Sequence, residues 1–140
     1  MILYLDTSSL VKLYIPEADT EKVKVLVSDA ASVVTSRIAC PEFYSAVTRR
    51  HNNKEISTKD YELLCLAFTA DWARIYAIDF DEIEAGRLVC MHALRGADAI
   101  HLASAKQLLK LEEAVEIVFS SADRKLNEAA KREGFLLAPG

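Results

Sequence analysis

Residues 2–14, ILYLDTSSLVKLY, decide how the first part of this chain is built. The four apolar residues Ile2 to Leu5 predict a short buried strand, and the residues after Asp6 have a helical pattern. Asp6 therefore lies where a strand ends and a helix begins. Its carboxylate can cap the helix that starts near Ser8, and it can equally belong to a functional site.

The rest of the chain alternates between short strands and helices. Predicted strands are rich in β-branched or aromatic residues: Ser32 to Thr35, Ile75 to Ile78, Val115 to Phe119 and Phe135 to Leu137. Helical patterns cover residues 23–30, 57–72, 81–95, 97 onward and 122–133. This order predicts an α/β three-layer sandwich, with a short central parallel sheet of about five strands flanked by helices.

Composition indicates one globular domain, residues 1–140, because 51% of the residues are hydrophobic, 27% are charged and no low-complexity linker interrupts them. No apolar run approaches the roughly 20 residues that span a bilayer, and no signal-peptide pattern is present, so we expect a cytoplasmic protein without membrane contact. Three widely spaced cysteines predict free thiols. The net charge of −4 means that nucleic-acid binding requires local basic patches or bound cations.

Four acidic residues occur where strands end or helices begin. Asp6 and Asp123 each follow a predicted strand, and Asp98 opens a helix of small apolar residues. Glu42 lies near the start of a helix whose entry is constrained by Pro41. Each has an ordinary explanation, since aspartates cap helices or interact with the helix dipole and helix glutamates are commonly solvated.

Taken together, these carboxylates predict a divalent-cation site. Ligands of parallel α/β sheets bind beyond the carboxyl ends of the strands, so the four acids can converge on one crevice. Several carboxylates close together raise one another's pKa unless a counter-charge is present. Oxygen ligands without a Cys or paired-His cluster favour Mg²⁺ or Mn²⁺ over zinc, and these ions serve phosphoryl transfer and phosphodiester hydrolysis.

The chain resembles the PIN-domain family, and most closely its VapC-like toxin ribonucleases of type II toxin-antitoxin systems. The resemblance covers essentially all 140 residues. Four motifs carry it: LDTSSLVKLY from residue 5, CPEFYSAV from residue 40, LRGADAIHLASA from residue 94 and VFSSADRKL from residue 118.

This resemblance implies a metal-dependent endoribonuclease that cleaves RNA. It assigns catalysis and the binding of one or two Mg²⁺ or Mn²⁺ ions to four acids, Asp6, Glu42, Asp98 and Asp123. The hydroxyls of Ser8 and Ser121 would position ligands or substrate. The resemblance further implies a homodimer and a cognate antitoxin that blocks the crevice.

Basic side chains near the motifs are candidates for contacts with RNA phosphates, although exposed Lys and Arg also serve solubility. The candidates are Lys12, Arg49, Arg50, Lys54 and Arg95. His101 lies three residues after Asp98 on the same helix face, and it fits a packed, hydrogen-bonded histidine better than a metal ligand because no second E-x-x-H motif exists.

Three alternatives remain open. An aspartyl-phosphate phosphatase would need a second acid two residues after Asp6, where Ser8 stands. A PIN-domain nuclease of RNA processing or decay would act without an antitoxin. A catalytically silent α/β module would use the crevice to bind a protein, and its partner binding would survive neutralisation of the acids.

Overall fold

The computed structural model describes residues 1–111 and 116–139. Five strands form one sheet in the order β3-β2-β1-β4-β5, and every neighbouring pair is parallel. The strands are β1 (Ile2–Leu5), β2 (Ser32–Ser36), β3 (Tyr76–Ile78), β4 (Ile117–Ser120) and β5 (Leu136–Leu137). The predicted short parallel sheet is therefore confirmed.

Helices connect the strands. Within the described ranges they are α1 (Thr7–Val11), α2 (Thr20–Asp29), α3 (Ala39–Asn52), α4 (Thr58–Trp72), α5 (Glu82–His92), α6 (Gly96–Leu111) and α7 (Arg124–Arg132). Among these residues, no helix has the length and apolar character needed to cross a membrane.

The alternation of side chains along β1 explains the layered architecture. Ile2 and Tyr4 pack in a hydrophobic cluster with residues of α5, α6 and α7. Leu3 and Leu5 pack on the opposite face with residues of α1, α2, α3 and α4. Successive strand residues point to opposite faces, so a strand covered on both sides must be apolar throughout. The predicted three-layer α/β sandwich is confirmed.

Some element boundaries differ from the sequence-based prediction. Strands β2 and β4 continue to Ser36 and Ser120, whereas β3 and β5 begin at Tyr76 and Leu136. Val115, the predicted start of the fourth strand, lies outside the described residues.

The helix predicted for residues 81–95 ends at His92 because Ala93 adopts a left-handed conformation with φ of 53°. Asp81 caps its beginning by accepting hydrogen bonds from the Ile83 and Glu84 amides. Helix α3 begins at Ala39, so Pro41 occupies its first turn, where a missing N–H removes no intrahelical hydrogen bond.

The strand order fixes the place of the candidate site. The chain moves outward from β1 to β2 and β3, and then returns to place β4 on the other side of β1. The carboxyl ends of β1 and β4 therefore meet at a topological switch point, where α/β sheets form ligand crevices. Helix α1 starts directly after β1, and α7 starts shortly after β4.

Candidate active site

A pocket of about 310 Å³ contains all four acids that the sequence singles out. They come from four separate parts of the chain: the end of β1, the first turns of α3 and α6, and the residue that caps α7. Charged side chains that line the pocket are Asp6, Glu42, Asp98, Asp123, Arg49 and Arg95. The structure thus brings the predicted quartet together with two of the predicted RNA-contact residues.

Asp6 is the most buried of the four, with 4% of its surface exposed. Its Oδ1 caps α1 by accepting from the Ser9 amide at 3.0 Å, and it also accepts from the Ser8 hydroxyl at 2.7 Å. Its Oδ2 accepts from the Ser121 hydroxyl at 2.5 Å. Burial raises the pKa of the Asp6 carboxyl, while the nearby imidazole of His101 and the hydrogen bonds from Ser121 and Ser8 act in the opposite direction.

Ser8 and Ser121 connect the two chain segments that meet at the switch point. The Ser8 hydroxyl donates to Asp6 and accepts from the Ala122 amide at 2.9 Å. The Ser121 hydroxyl also donates to Asp6 and accepts from the Asp123 amide at 2.9 Å. Both hydroxyls therefore hold the Asp6 carboxylate in one orientation.

Glu42 is held from one side by a threonine and a histidine. Its Oε1 accepts a hydrogen bond from the Thr7 hydroxyl at 2.6 Å and lies 2.9 Å from His101 Nε2. Burial opposes ionisation of Glu42, but the hydrogen bonds from His101 and Thr7 outweigh burial and lower the pKa of the carboxyl. Glu42 is therefore ionised at neutral pH and presents its charge to the pocket.

Arg95 supplies positive charge to the other two acids. Its Nε lies 3.2 Å from Asp98 Oδ2, and its Nη2 lies 3.6 Å from Asp123 Oδ2. Asp123 also caps α7 by accepting from the Leu126 amide at 2.9 Å. The Arg95 side chain is 81% exposed, so its ion pairs are screened by water and hold the guanidinium weakly.

Lys12 does not belong among the candidate RNA contacts. Its side chain is buried, and its ammonium group donates to the Ala18 carbonyl at 2.6 Å and lies 3.5 Å from Glu17. Arg50 pairs with the same glutamate at 2.5 Å. These two cations bind the loop that precedes α2, and only Arg49 and Arg95 of the basic candidates line the pocket in the described residues.

The donor set has the chemistry that Mg²⁺ or Mn²⁺ prefers, because four carboxylates supply hard oxygen ligands. Within residues 1–111 and 116–139, however, no three acidic, histidine or cysteine side chains already lie close enough together to hold a metal ion. The residues therefore fit the ion by type and by shared location, but they are not arranged as a completed coordination shell.

Residues 3–132 match the profile of the PIN domain. The chain belongs to the PIN domain family. Over 141 aligned residues, this PIN domain is 30% identical to Ribonuclease VapC45 and to Ribonuclease VapC49 of two Mycobacterium tuberculosis strains, and each alignment covers 99% of this chain and 95% of the relative. The family resemblance that the four motifs indicate is confirmed.

A solved structure also shares the fold of this PIN domain. FitAcB from Neisseria gonorrhoeae superposes with a TM-score of 0.67, at 19% sequence identity, over 99% of this chain and 97% of that chain. At this identity the likeness concerns the fold.

Two polar residues of this PIN domain escaped prediction from sequence. Thr7 stands between two singled-out residues, and Tyr4 belongs to a strand whose apolar character predicts only packing. The prediction for His101 is confirmed, since its ring is 2% exposed and hydrogen-bonded. Its three-residue separation from Asp98 was the local signal that singled out His101. Its contact with Glu42 joins residues 59 positions apart, so no local pattern indicated it.

Proposed function

We propose that this PIN domain is a divalent-metal-dependent endoribonuclease that hydrolyses RNA phosphodiester bonds as the toxin of a toxin-antitoxin pair. The observation that carries the proposal is the convergence of Asp6, Glu42, Asp98 and Asp123 in one pocket at the β1/β4 switch point. Similarity to two proteins named as VapC ribonucleases supports the choice of RNA as substrate.

Four acids would hold one or two Mg²⁺ or Mn²⁺ ions: Asp6, Glu42, Asp98 and Asp123. Such an ion, when bound, lowers the pKa of water and neutralises charge that develops on the phosphate. The chain's own groups prepare this chemistry. Ser8 and Ser121 fix the orientation of Asp6, and the hydrogen bonds from Thr7 and His101 keep Glu42 ionised.

Arg49 and Arg95 would bind the RNA backbone. Both line the pocket, and guanidinium groups form charge-assisted hydrogen bonds with phosphate oxygens. Arg95 is only weakly held by Asp98 and Asp123 at the pocket's edge, so its guanidinium is available to a phosphate that enters the pocket. These two guanidinium groups give the RNA backbone cationic contacts in a chain whose net charge is −4.

The proposal includes a cognate antitoxin that covers the pocket. It also includes a homodimeric state, and both parts rest on family membership. A small open reading frame beside the gene and inhibition of cleavage by its product would support the antitoxin. Light scattering of the purified chain would test the dimer. Cleavage activity without such a neighbour would favour RNA processing or decay.

The decisive experiment is cleavage of single-stranded RNA with Mg²⁺ or Mn²⁺, with and without a chelator. Asp98→Asn should reduce cleavage by at least about 100-fold, because it removes one charged ligand while preserving shape. The matched control is Asp81→Asn, which changes an aspartate that caps α5 outside the pocket, where Asn caps equally well. Chelator-resistant cleavage, or full activity of Asp98→Asn, would refute the proposal.

A further inference from the structure

A buried line of hydrogen bonds runs from the sheet to the pocket. The Tyr4 hydroxyl lies 2.8 Å from His101 Nδ1, and His101 Nε2 lies 2.9 Å from Glu42 Oε1. Tyr4 is fully buried and His101 is 2% exposed. The line therefore begins in the core between β1 and α6 and ends on a carboxylate that faces the pocket.

Hydrogen-bonding needs determine the direction of each bond. Ionised Glu42 can only accept, so His101 Nε2 carries a proton and donates to it. Thr7 donates its own hydroxyl proton to the same oxygen, which leaves the Thr7 oxygen free to accept from Nε2 at 2.9 Å. The other ring nitrogen, Nδ1, lies 2.8 Å from the Tyr4 hydroxyl and forms its hydrogen bond on the core side of the ring.

We infer that His101 is a positioning residue for Glu42 and that Tyr4 fixes the orientation of the His101 ring. This inference rests on the proposed function of the pocket. It assigns His101 no contact with substrate. Its role is to aim the Glu42 carboxylate into the pocket, in the way that hydrogen-bonded partners orient ligands at metal sites.

Glu42 needs such a partner more than the aspartates that cap helices. Asp6 and Asp123 are anchored because each accepts a hydrogen bond from a backbone amide of the helix that follows. Glu42 lies inside the first turn of α3, has one more rotatable bond and is anchored through side chains. Its position therefore depends on His101 and Thr7.

The test measures Mn²⁺ affinity of the RNA-free protein by electron paramagnetic resonance. His101→Leu keeps an apolar filling but removes the donor, so we expect Mn²⁺ binding to weaken about 10-fold. His101→Gln places an amide N–H near the position of Nε2 and should restore affinity to within about 3-fold of the wild type. A residue that only fills the core would not show this rescue.

Tyr4→Phe provides a second test that does not depend on replacing the histidine. It leaves Nδ1 without its hydrogen-bond partner, and we expect Mn²⁺ affinity to fall about 3-fold, with thermal melting as the control for folding. In a Glu42→Gln background, Tyr4→Phe should cause no further loss, because the line then ends on a neutral amide. An equal loss in both backgrounds would overturn the inference.

The outcomes separate this inference from the proposed function. If the wild type binds no Mn²⁺, both are overturned. If Asp98→Asn abolishes Mn²⁺ binding but folded His101→Leu binds as tightly as the wild type, the role of His101 is overturned and the metal site stands. If His101→Leu does not fold, unchanged affinity in both His101→Gln and Tyr4→Phe overturns the inference, whereas weaker binding in Tyr4→Phe alone supports it.

Discussion

Two charged regions of this molecule are built on opposite principles. The acid pocket combines four carboxylates with two arginines and one histidine at the carboxyl ends of β1 and β4. The second region, which we call the ion-pair cluster, joins helices α5, α6 and α7. Its members are Glu84, Arg87, His92, Lys106 and Glu133.

The ion-pair cluster is internally neutralised. Lys106 Nζ lies 2.6 Å from Glu133 and 2.9 Å from Glu84, and Arg87 contacts both glutamates at 2.9 to 3.0 Å. His92 Nε2 lies 2.7 Å from Glu133. Hydrogen bonds from Arg87 and Lys106 lower the pKa of Glu84 to about 2. Burial opposes the same change at Glu133, but Lys106 and His92 prevail and lower its pKa to about 2.

The acid pocket lacks this compensation at its most buried acid. Burial raises the pKa of Asp6, whose hydrogen-bond donors are neutral hydroxyls and an amide. Arg95, the cation that contacts Asp98 and Asp123, is largely exposed. A region whose charges stabilise the fold contains its own counter-ions, whereas a region that leaves carboxylates undercompensated is suited to bind a cation from solution.

The largest stability change should follow loss of a charge from the ion-pair cluster. Glu133→Gln leaves Arg87 and Lys106 with one fewer partner, so we expect the free energy of unfolding at pH 7 to fall by about 2 kcal/mol. Because the folded pKa of Glu133 is depressed, its contribution is complete above pH 4.5 and is lost as pH falls towards about 2. Urea denaturation across this pH range should therefore show a flatter acid response in the variant.

The control for this prediction is Glu128→Gln in α7, the helix that Glu133 directly follows. Glu128 pairs with Arg124, whose side chain is 93% exposed, so its loss should leave the urea midpoint unchanged. RNA cleavage should be retained in both variants. Equal destabilisation by the two changes would remove the distinction between the ion-pair cluster and a surface pair.

A smaller stability change, of opposite sign, should follow neutralisation of Asp6. The pKa of folded Asp6 is raised, so the stability that the protonated carboxyl contributes is lost as pH rises through that pKa. Asp6→Asn in metal-free buffer should therefore raise the free energy of unfolding above that of the wild type at a pH where Asp6 is ionised. The same variant should have lost RNA cleavage. A lower melting temperature than wild type would contradict this account of the pocket.

The smallest effect concerns a single phosphate contact. Arg49→Gln should weaken RNA binding several-fold and reduce the salt dependence of log K by about 0.7, as expected for one lost contact with a single strand. Fluorescence anisotropy at several salt concentrations, in an Asp98→Asn background that prevents cleavage, provides the measurement. Arg124→Gln, at a fully solvated position on α7, is the matched control. Equal losses from both variants would indicate nonspecific attraction.

Local signals allowed much of this structure to be predicted from sequence. The short apolar strands, the helical pattern of residues 57–72 and the acids at strand ends depend on neighbouring residues, so each can be recognised within one segment of sequence. The hydrogen bond between Glu42 and His101 could not be predicted from sequence, because it depends on how α3 and α6 pack. The prediction that Lys12 contacts RNA failed for the same reason. Its burial depends on the loop that places Glu17 and Ala18 beside its ammonium group.

The ion-pair cluster also could not be predicted from sequence patterns. Glu133 lies 46 residues from Arg87 and 27 from Lys106. From sequence alone it is an ordinary solvated glutamate at the end of a helix, and its partners become evident only when the three helices pack together. The close contacts of Arg87 and Lys106 with Glu84 and Glu133 are thus what separates the compensated cluster from the undercompensated pocket.

Calorimetric titration of Mn²⁺ into the metal-free protein tests most directly whether the pocket's excess negative charge holds a divalent cation. The wild type and the Glu133→Gln variant should bind Mn²⁺ with similar affinity, while Asp98→Asn should bind at least about 10-fold more weakly. Undiminished binding in Asp98→Asn, or binding lost equally in Glu133→Gln, would contradict the assignment of the cation to the acid pocket.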